Sequence, residues 1–180
     1  GKKIVIELLK KMPSQDLMAF YEAGKSADTD NEGQKIDSYK GTVNALEFDS
    51  ALFKQLDLFG THFPLLKVKV PEFLKFQEYK NTEGPAVVLP LQDPGNVGAA
   101  IRSARAFGIK KFVITKESSH PFHPKSLRAS SGSVFGAQFF STNMSLSDFI
   151  SENSTENDFI FLDSQGESLR EFKFPKNFLL

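Results

Sequence analysis

Short apolar runs separated by stretches of helical periodicity fill the second half of the chain, whereas the first half mixes helical periodicity with long polar breaks. Ala86-Val87-Val88-Leu89 is an unbroken apolar run, as a strand buried on both faces requires. Gln92 to Asn96 reads as a turn, Val97 to Phe107 as a helix with Ala and Ile at helical spacing, and Gly108 stands where a glycine closes a helix. Lys111 to Thr115 reads as a second strand and Val134 to Phe140 as a third. Ser145 to Glu152 is a helix opened by a serine cap, and Phe159 to Leu162 a fourth strand. Strands alternating with helices predict βαβ units on a largely parallel sheet. Asn177 to Leu180 reads as the start of a fifth strand that is cut off, which would leave a sheet edge unpaired.

In the first half, Ile4 to Lys11 and Gln15 to Lys25 read as helices, with a loop rich in Asp, Asn and Gly from Ser26 to Gly33. Ser50 to Phe59 is a further helix and Leu65 to Val70 a strand punctuated by Pro71. Tyr79 to Pro85 is short, polar and rich in breakers. The expected organisation is therefore a small α/β domain over 1–80, a linker over 81–85 and a parallel-sheet domain over 86–180.

The 180 residues are 40% hydrophobic and 24% charged, which excludes disordered and fibrous classes. Lys and Arg total 22, as do Asp and Glu, so affinity for nucleic acid must come from a local patch. Such a patch exists in the sequence. From Arg102 to Arg128 there are seven cations (Arg102, Arg105, Lys110, Lys111, Lys116, Lys125, Arg128) against Glu117, while residues 145–171 carry seven acids against Arg170. Arginine binds phosphate with a planar, two-pronged fork, and three of the four arginines lie in the positive block. The competing reading is a solvated surface. With no cysteine there is no disulfide, thiolate zinc site or cysteine nucleophile, and an intracellular, cytoplasmic setting is expected. No apolar run reaches the roughly 18 residues of a membrane span, and no secretory signal opens the chain.

Three constellations are candidates for chemistry. Asp93-Pro94-Gly95-Asn96-Val97-Gly98 is a turn after a strand that opens into a helix, where unpaired N–H groups can hold an anion or polar ligand. Asn96 can instead be a plain cap and Gly98 a packing glycine. Arg102 and Arg105, one helical turn apart, are joined by Arg128 in Ser126-Leu127-Arg128-Ala129-Ser130-Ser131-Gly132-Ser133, whose small residues permit close approach and whose hydroxyls donate or accept. The alternative is a serine-rich loop with a solvated arginine. His120-Pro121-Phe122-His123 places two imidazoles three apart, but proline prevents helical alignment and only Glu117 is near, so no metal site is expected.

The run from Leu89 to Gly108, Leu-Pro-Leu-Gln-Asp-Pro-Gly-Asn-Val-Gly-Ala-Ala-Ile-Arg-Ser-Ala-Arg-Ala-Phe-Gly, resembles the first motif of the SpoU (TrmH-type) ribose 2′-O-methyltransferases of the SPOUT superfamily. Arg128-Ala129-Ser130-Ser131-Gly132-Ser133-Val134-Phe135 resembles the second. The likeness covers residues 85–180 well and the first 80 loosely, where many relatives carry a small RNA-binding α/β domain. It implies methyl transfer from S-adenosylmethionine to a ribose 2′-hydroxyl of structured RNA, ribosomal or transfer RNA. In that family an arginine at the position of Arg102 is the proposed activator of the hydroxyl, and the asparagine matching Asn96 orients the site. Arginine is a poor base. Arg102 would then hold the ribose and its phosphate while the proton passes to that phosphate or is lost late. Arg105, Lys110, Lys111, Lys125, Arg128, Ser130 and Ser133 make up the expected RNA-binding set.

Family members follow the last strand with a third motif that threads into a trefoil knot around the cofactor, and they pair as homodimers. This sequence stops where that motif is expected, so Leu162, Asp163, Ser164 and Gly166 would form one wall of the cofactor pocket. The expectation is a SpoU-type domain lacking its knot segment, unable by itself to bind the cofactor or transfer methyl. A non-catalytic RNA-binding module is the alternative, and a phosphate-binding domain for a small metabolite is a third reading that leaves the positive block without a purpose.

Overall fold

A computed structural model describes residues 2–23, 43–60, 63–168 and 170–180. The expected loop from Ser26 to Gly33 lies outside them. The chain divides into two compact units, 1–71 and 72–180.

In the first unit, helix α1 (Lys2–Lys11) is followed by Pro13 and by strand β1 (Leu17–Glu22), where a helix was expected over Gln15 to Lys25. Leu, Met, Ala and Glu all favour helices as isolated residues, but pairing on both sides overrides that preference. Strand β1 lies between β2 (Asn44–Phe48), parallel to it, and β3 (Leu65–Val68), antiparallel. Its alternate residues Leu17, Ala19 and Tyr21 are buried in one cluster with Leu9 of α1. Helix α2 (Ser50–Leu56) is shorter than the expected Ser50 to Phe59 and is capped by Asp49, whose carboxylate accepts from the N–H groups of Ala51 and Leu52 at 2.9 Å.

The second unit starts before the expected linker. Strand β4 (Leu74–Lys75) and a 3-10 helix over Phe76–Asn81 pack with the residues that follow, because Phe76 and Tyr79 are buried in the same cluster as Ala86, Val113 and Phe140. The expected linker at 81–85 is held too: Tyr79 Oη donates to the Gly84 carbonyl at 3.0 Å. A four-stranded, wholly parallel sheet has the order β4, β7 (Gln138–Ser141), β6 (Lys111–Ile114), β5 (Ala86–Leu89). The α/β class with a parallel-sheet core stands.

Both faces of this sheet are covered, and the period of two in the strands decides which residue goes where. Phe112, Ile114 and Phe139 point to one side, with Val97 and Ile101 of helix α3 (Pro94–Ala106) and Phe122. Val113 and Phe140 point to the other, with Phe149 of helix α5 (Leu146–Asn153). Beyond β5, Leu179 forms parallel bridges to both Ala86 and Phe159, so the expected fourth and fifth strands are reduced to single bridging positions. The segment Ser126 to Ala129, open between loop and ligand site in the sequence, lies in helix α4 (Pro124–Ala129), and the first part of the expected strand from Val134 is a 3-10 turn over Ser133–Gly136.

Candidate functional site

Parallel strands bring their carboxyl ends to one edge, where open α/β sheets bind ligands. At that edge the chain leaves β5 and enters α3. The helix starts at Pro94, earlier than the expected Val97, and its cap is Asp93 rather than Asn96: the Asp93 carboxylate accepts the Asn96 N–H at 2.9 Å. This leaves the exposed side chain of Asn96 without the capping duty. Arg102 is also exposed on α3, while Val97, Gly98 and Ile101 are buried. Arg102 lies six positions after Asn96, a rise of about 9 Å and a rotation of roughly 120° from one face. The helix therefore presents them as two separate contact points.

Helix α4 locks the start of α3. A Cβ on Gly98 would stand 2.4 Å from the Ser126 carbonyl oxygen and 2.8 Å from Ala129 Cβ, so only glycine allows the two helices to meet here. Ser126 is fully buried, and its hydroxyl donates to the Pro94 carbonyl at 2.7 Å. The neighbouring loop is tied in by the Ser119 N–H, which donates to the Leu91 carbonyl at 2.9 Å. His123, expected as a plain loop residue, caps α4 by accepting the Lys125 N–H at Nδ1. Glu117 clamps the next loop by accepting the Leu146 N–H at 2.8 Å. Burial pushes its carboxyl up, but the N–H of Leu146, its own backbone N–H and the Thr115 hydroxyl outweigh this and hold it below the usual range.

The positive block does not form one surface. Lys125 and Arg128 are exposed on α4, against the first turns of α3, and Lys116 follows the carboxyl end of β6. Lys110 and Lys111 stand at the opposite, amino end of β6, remote from the α3 turn. Lys111 is also engaged, since its ammonium donates to the Glu83 carbonyl and lies 5.7 Å from the Tyr79 ring centre. Desolvation lowers its pKa against the opposing pull of Glu83. Arg105 is half-buried, and its guanidinium covers Gly136 so closely that a Cβ there would be 2.5 Å away. Ser130 is fully buried and its hydroxyl donates to the Leu127 carbonyl at 3.1 Å, so its side chain closes α4 instead of facing solvent. Ser133, half-buried, opens the 3-10 turn after Gly132, whose φ of 84° suits glycine.

Leu162, Asp163, Ser164 and Gly166 come together on one open cavity of about 470 Å³, shared with Ile160, Phe161, Glu167 and Phe172. Its apolar wall is bare, with Phe161 64% and Leu162 70% exposed. Asp163 makes a tight turn, its carboxylate accepting the Gln165 N–H at 2.8 Å. Among the described residues no cluster of His, Asp and Glu suits a metal ion, and no helix is long and apolar enough to cross a membrane.

Sequence reasoning named Ser126 and passed over Ser119, without the structural role of either, and it missed the roles of Glu117 and Gly136. The first two sit in serine-rich stretches where nothing distinguishes a structural hydroxyl from a solvated one. Glu117 carried a usable signal as the lone acid of the positive block.

Over 135 residues, 74% of this chain, the sequence is 42% identical to the ribosomal RNA small subunit methyltransferase G 2 of Syntrophobacter fumaroxidans, and the match spans 26% of that protein's length. An AdoMet-bound rRNA methyltransferase from Sinorhizobium meliloti superposes with a TM-score of 0.69 at 19% identity, covering 99% of this chain and 67% of that one. A structure of an RNA 2′-O ribose methyltransferase gives 0.65 at 19% identity, covering 100% and 69%. These two likenesses show a shared fold. The SpoU rRNA Methylase family matches residues 86–180, the stretch that holds β5, the capped α3 turn, α4 and the cavity wall, and the chain belongs to that family.

Proposed function

We propose that this protein serves methyl transfer from S-adenosylmethionine to a ribose 2′-hydroxyl of structured RNA. The observation that carries this reading is helix α3, held rigidly by Asp93, Gly98 and Ser126, with Asn96 and Arg102 left exposed on it. The residues around Leu162 fit the cofactor by chemistry: Phe161 and Leu162 offer an apolar surface for adenine, and the Asp163 to Gly166 turn offers backbone and hydroxyl partners for polar edges. When bound, the cofactor would supply an activated methyl group, its S–CH3 bond breaking as the methyl moves to oxygen and its sulfur leaving as a neutral thioether. Arg102 holds the ribose and its adjacent phosphate in line, and the hydroxyl proton passes to that phosphate or to water as the C–O bond forms. Asn96 orients the sugar from the first turn. Lys125 and Arg128 bind phosphates beside it, while the first unit contributes further RNA contacts and the whole enzyme acts as a homodimer.

The test is methyl transfer from labelled S-adenosylmethionine to ribosomal and transfer RNA by the gene product carrying this sequence, with alkaline digestion of the product. Alkali-resistant dinucleotides are expected. Label confined to the bases would overturn the ribose assignment.

The bare wall of Phe161 and Leu162 favours a second reading for the 180 residues by themselves, an RNA-binding module without cofactor. A pocket must cover most of a small molecule, and one wall does not. Calorimetry of this chain with S-adenosylmethionine is expected to show no saturable binding, and one-to-one binding in the micromolar range would refute that.

A further inference from the structure

The loop Ser118 to His123 carries an aromatic surface that methyl transfer as described does not use. His120 lies on Phe73, with ring centres 5.0 Å apart and planes 14° from parallel. Phe73 rests in turn on Phe139 of β7 at 5.0 Å, so the stack is founded on the core. The imidazole is held in place as well, because Nδ1 accepts the Phe122 N–H at 3.1 Å. In the neutral ring the proton then sits on Nε2 as a free donor. Burial and the nearby His123 both lower the pKa of His120, which keeps it neutral. Although Phe73 underlies it, His120 is exposed.

This ring is wired to the candidate site. The Ser126 hydroxyl reaches both the Pro94 carbonyl at 2.7 Å and the His120 carbonyl at 3.3 Å, which sets the base of the loop beside the first turn of α3. Lys125 and Arg128 follow on α4. A flat ring backed by a second ring, with one donor at its edge and cations on the adjoining helix, is the arrangement that stacks an unpaired base while the cations take the phosphates.

We propose that His120, laid on Phe73, is the stacking platform for an unpaired RNA base next to the nucleotide presented to Arg102. The proposal rests on the RNA reading above and adds a recognition residue to it. An unpaired neighbour is then part of what the protein selects, so a fully paired helix is a poorer partner.

The experiment titrates the 180-residue chain into a uridine-rich single-stranded oligoribonucleotide with a terminal dye and a central 2-aminopurine. Anisotropy of the dye reports binding, and quenching of 2-aminopurine reports stacking. Wild type is expected to bind and quench. His120→Ala is expected to bind roughly tenfold more weakly and to lose the quenching, and His120→Phe to restore both. Binding with equal quenching by wild type and His120→Ala overturns the platform and leaves the RNA reading standing. Failure of a normally melting His120→Phe to restore quenching also overturns it, since the imidazole would then act through its hydrogen bonds. No anisotropy change with wild type overturns the platform, which needs an unpaired base to bind, and leaves the RNA reading to the methyl-transfer test.

Discussion

The two ends of the parallel sheet in the second unit are built from similar residue types and do opposite things. At the amino end, the Lys111 ammonium donates to the Glu83 carbonyl and lies over the Tyr79 ring, Tyr79 Oη donates to the Gly84 carbonyl, Asn177 accepts the Gly84 N–H at 2.6 Å through its side-chain oxygen, and Lys176 pairs with Glu83 at 2.9 Å. The polar groups there close on themselves as a latch between Glu83 and the last residues of the chain. At the carboxyl end, Asp93, Ser126 and Glu117 are held by hydrogen bonds to the backbone, and the side chains of Asn96, Arg102 and Lys125 beside them are exposed. A cation's place in a sequence block therefore says little about its use. What matters is whether the backbone beside it has already claimed its hydrogen bonds.

Arg102→Ala gives the largest expected effect and bears on the exposed side chains alone. Methyl transfer by the gene product should fall at least about a hundredfold, the scale of losing a positioned contact at a reacting centre. Melting temperature and cofactor affinity should be unchanged. A loss confined to cofactor affinity would move Arg102 out of the RNA site.

Gly98→Ala strikes the contact between α3 and α4. The added methyl meets the Ser126 carbonyl, and forcing α3 from α4 is expected to cost about 1–3 kcal/mol in a denaturant titration. RNA binding should weaken with it, because the Asn96 turn and Lys125 shift together. Unchanged stability would show that the helices part without strain.

Charge removal then compares the two ends directly. Lys125→Ala and Arg128→Ala should each lower the slope of log affinity against log salt by about 1. Lys110→Ala, at the amino end, should leave slope and affinity as they were. Equal effects at both ends would mean that RNA runs the length of the sheet.

The smallest expected effect is on acid stability. Glu117 titrates below its ordinary value of about 4.5 when folded, so its contribution is present above that pH and is lost as pH falls through the folded value. Glu117→Gln should lower the melting temperature at neutral pH and converge with wild type in acid. Parallel curves at all pH values would show that the clamp does not depend on charge.

The alternation of apolar runs and helical spacing in residues 86–153 was legible without any structure, and β5, α3, β6 and α5 lie close to where the pattern put them. Leu17 to Glu22 was misread because its residues favour helices, and only its two partner strands make it a strand. Two strands were not anticipated: β2, with the exposed Asn44, Leu46 and Glu47, and the two-residue β4.

The same division runs through the candidate site. Asp93, Asn96, Gly98 and Arg102 were readable because a strand, a turn and a helix in succession place them within one local motif. Sequence distance sufficed there, since the turn is made by neighbours. The separation of Lys110 and Lys111 from Lys125, the burial of Ser130, the fit of Arg105 over Gly136 and the seating of His120 on Phe73 were decided by the tertiary structure. Each depends on which strand pairs with which and which helix covers them, contacts between residues up to 47 positions apart that leave no local periodicity to read.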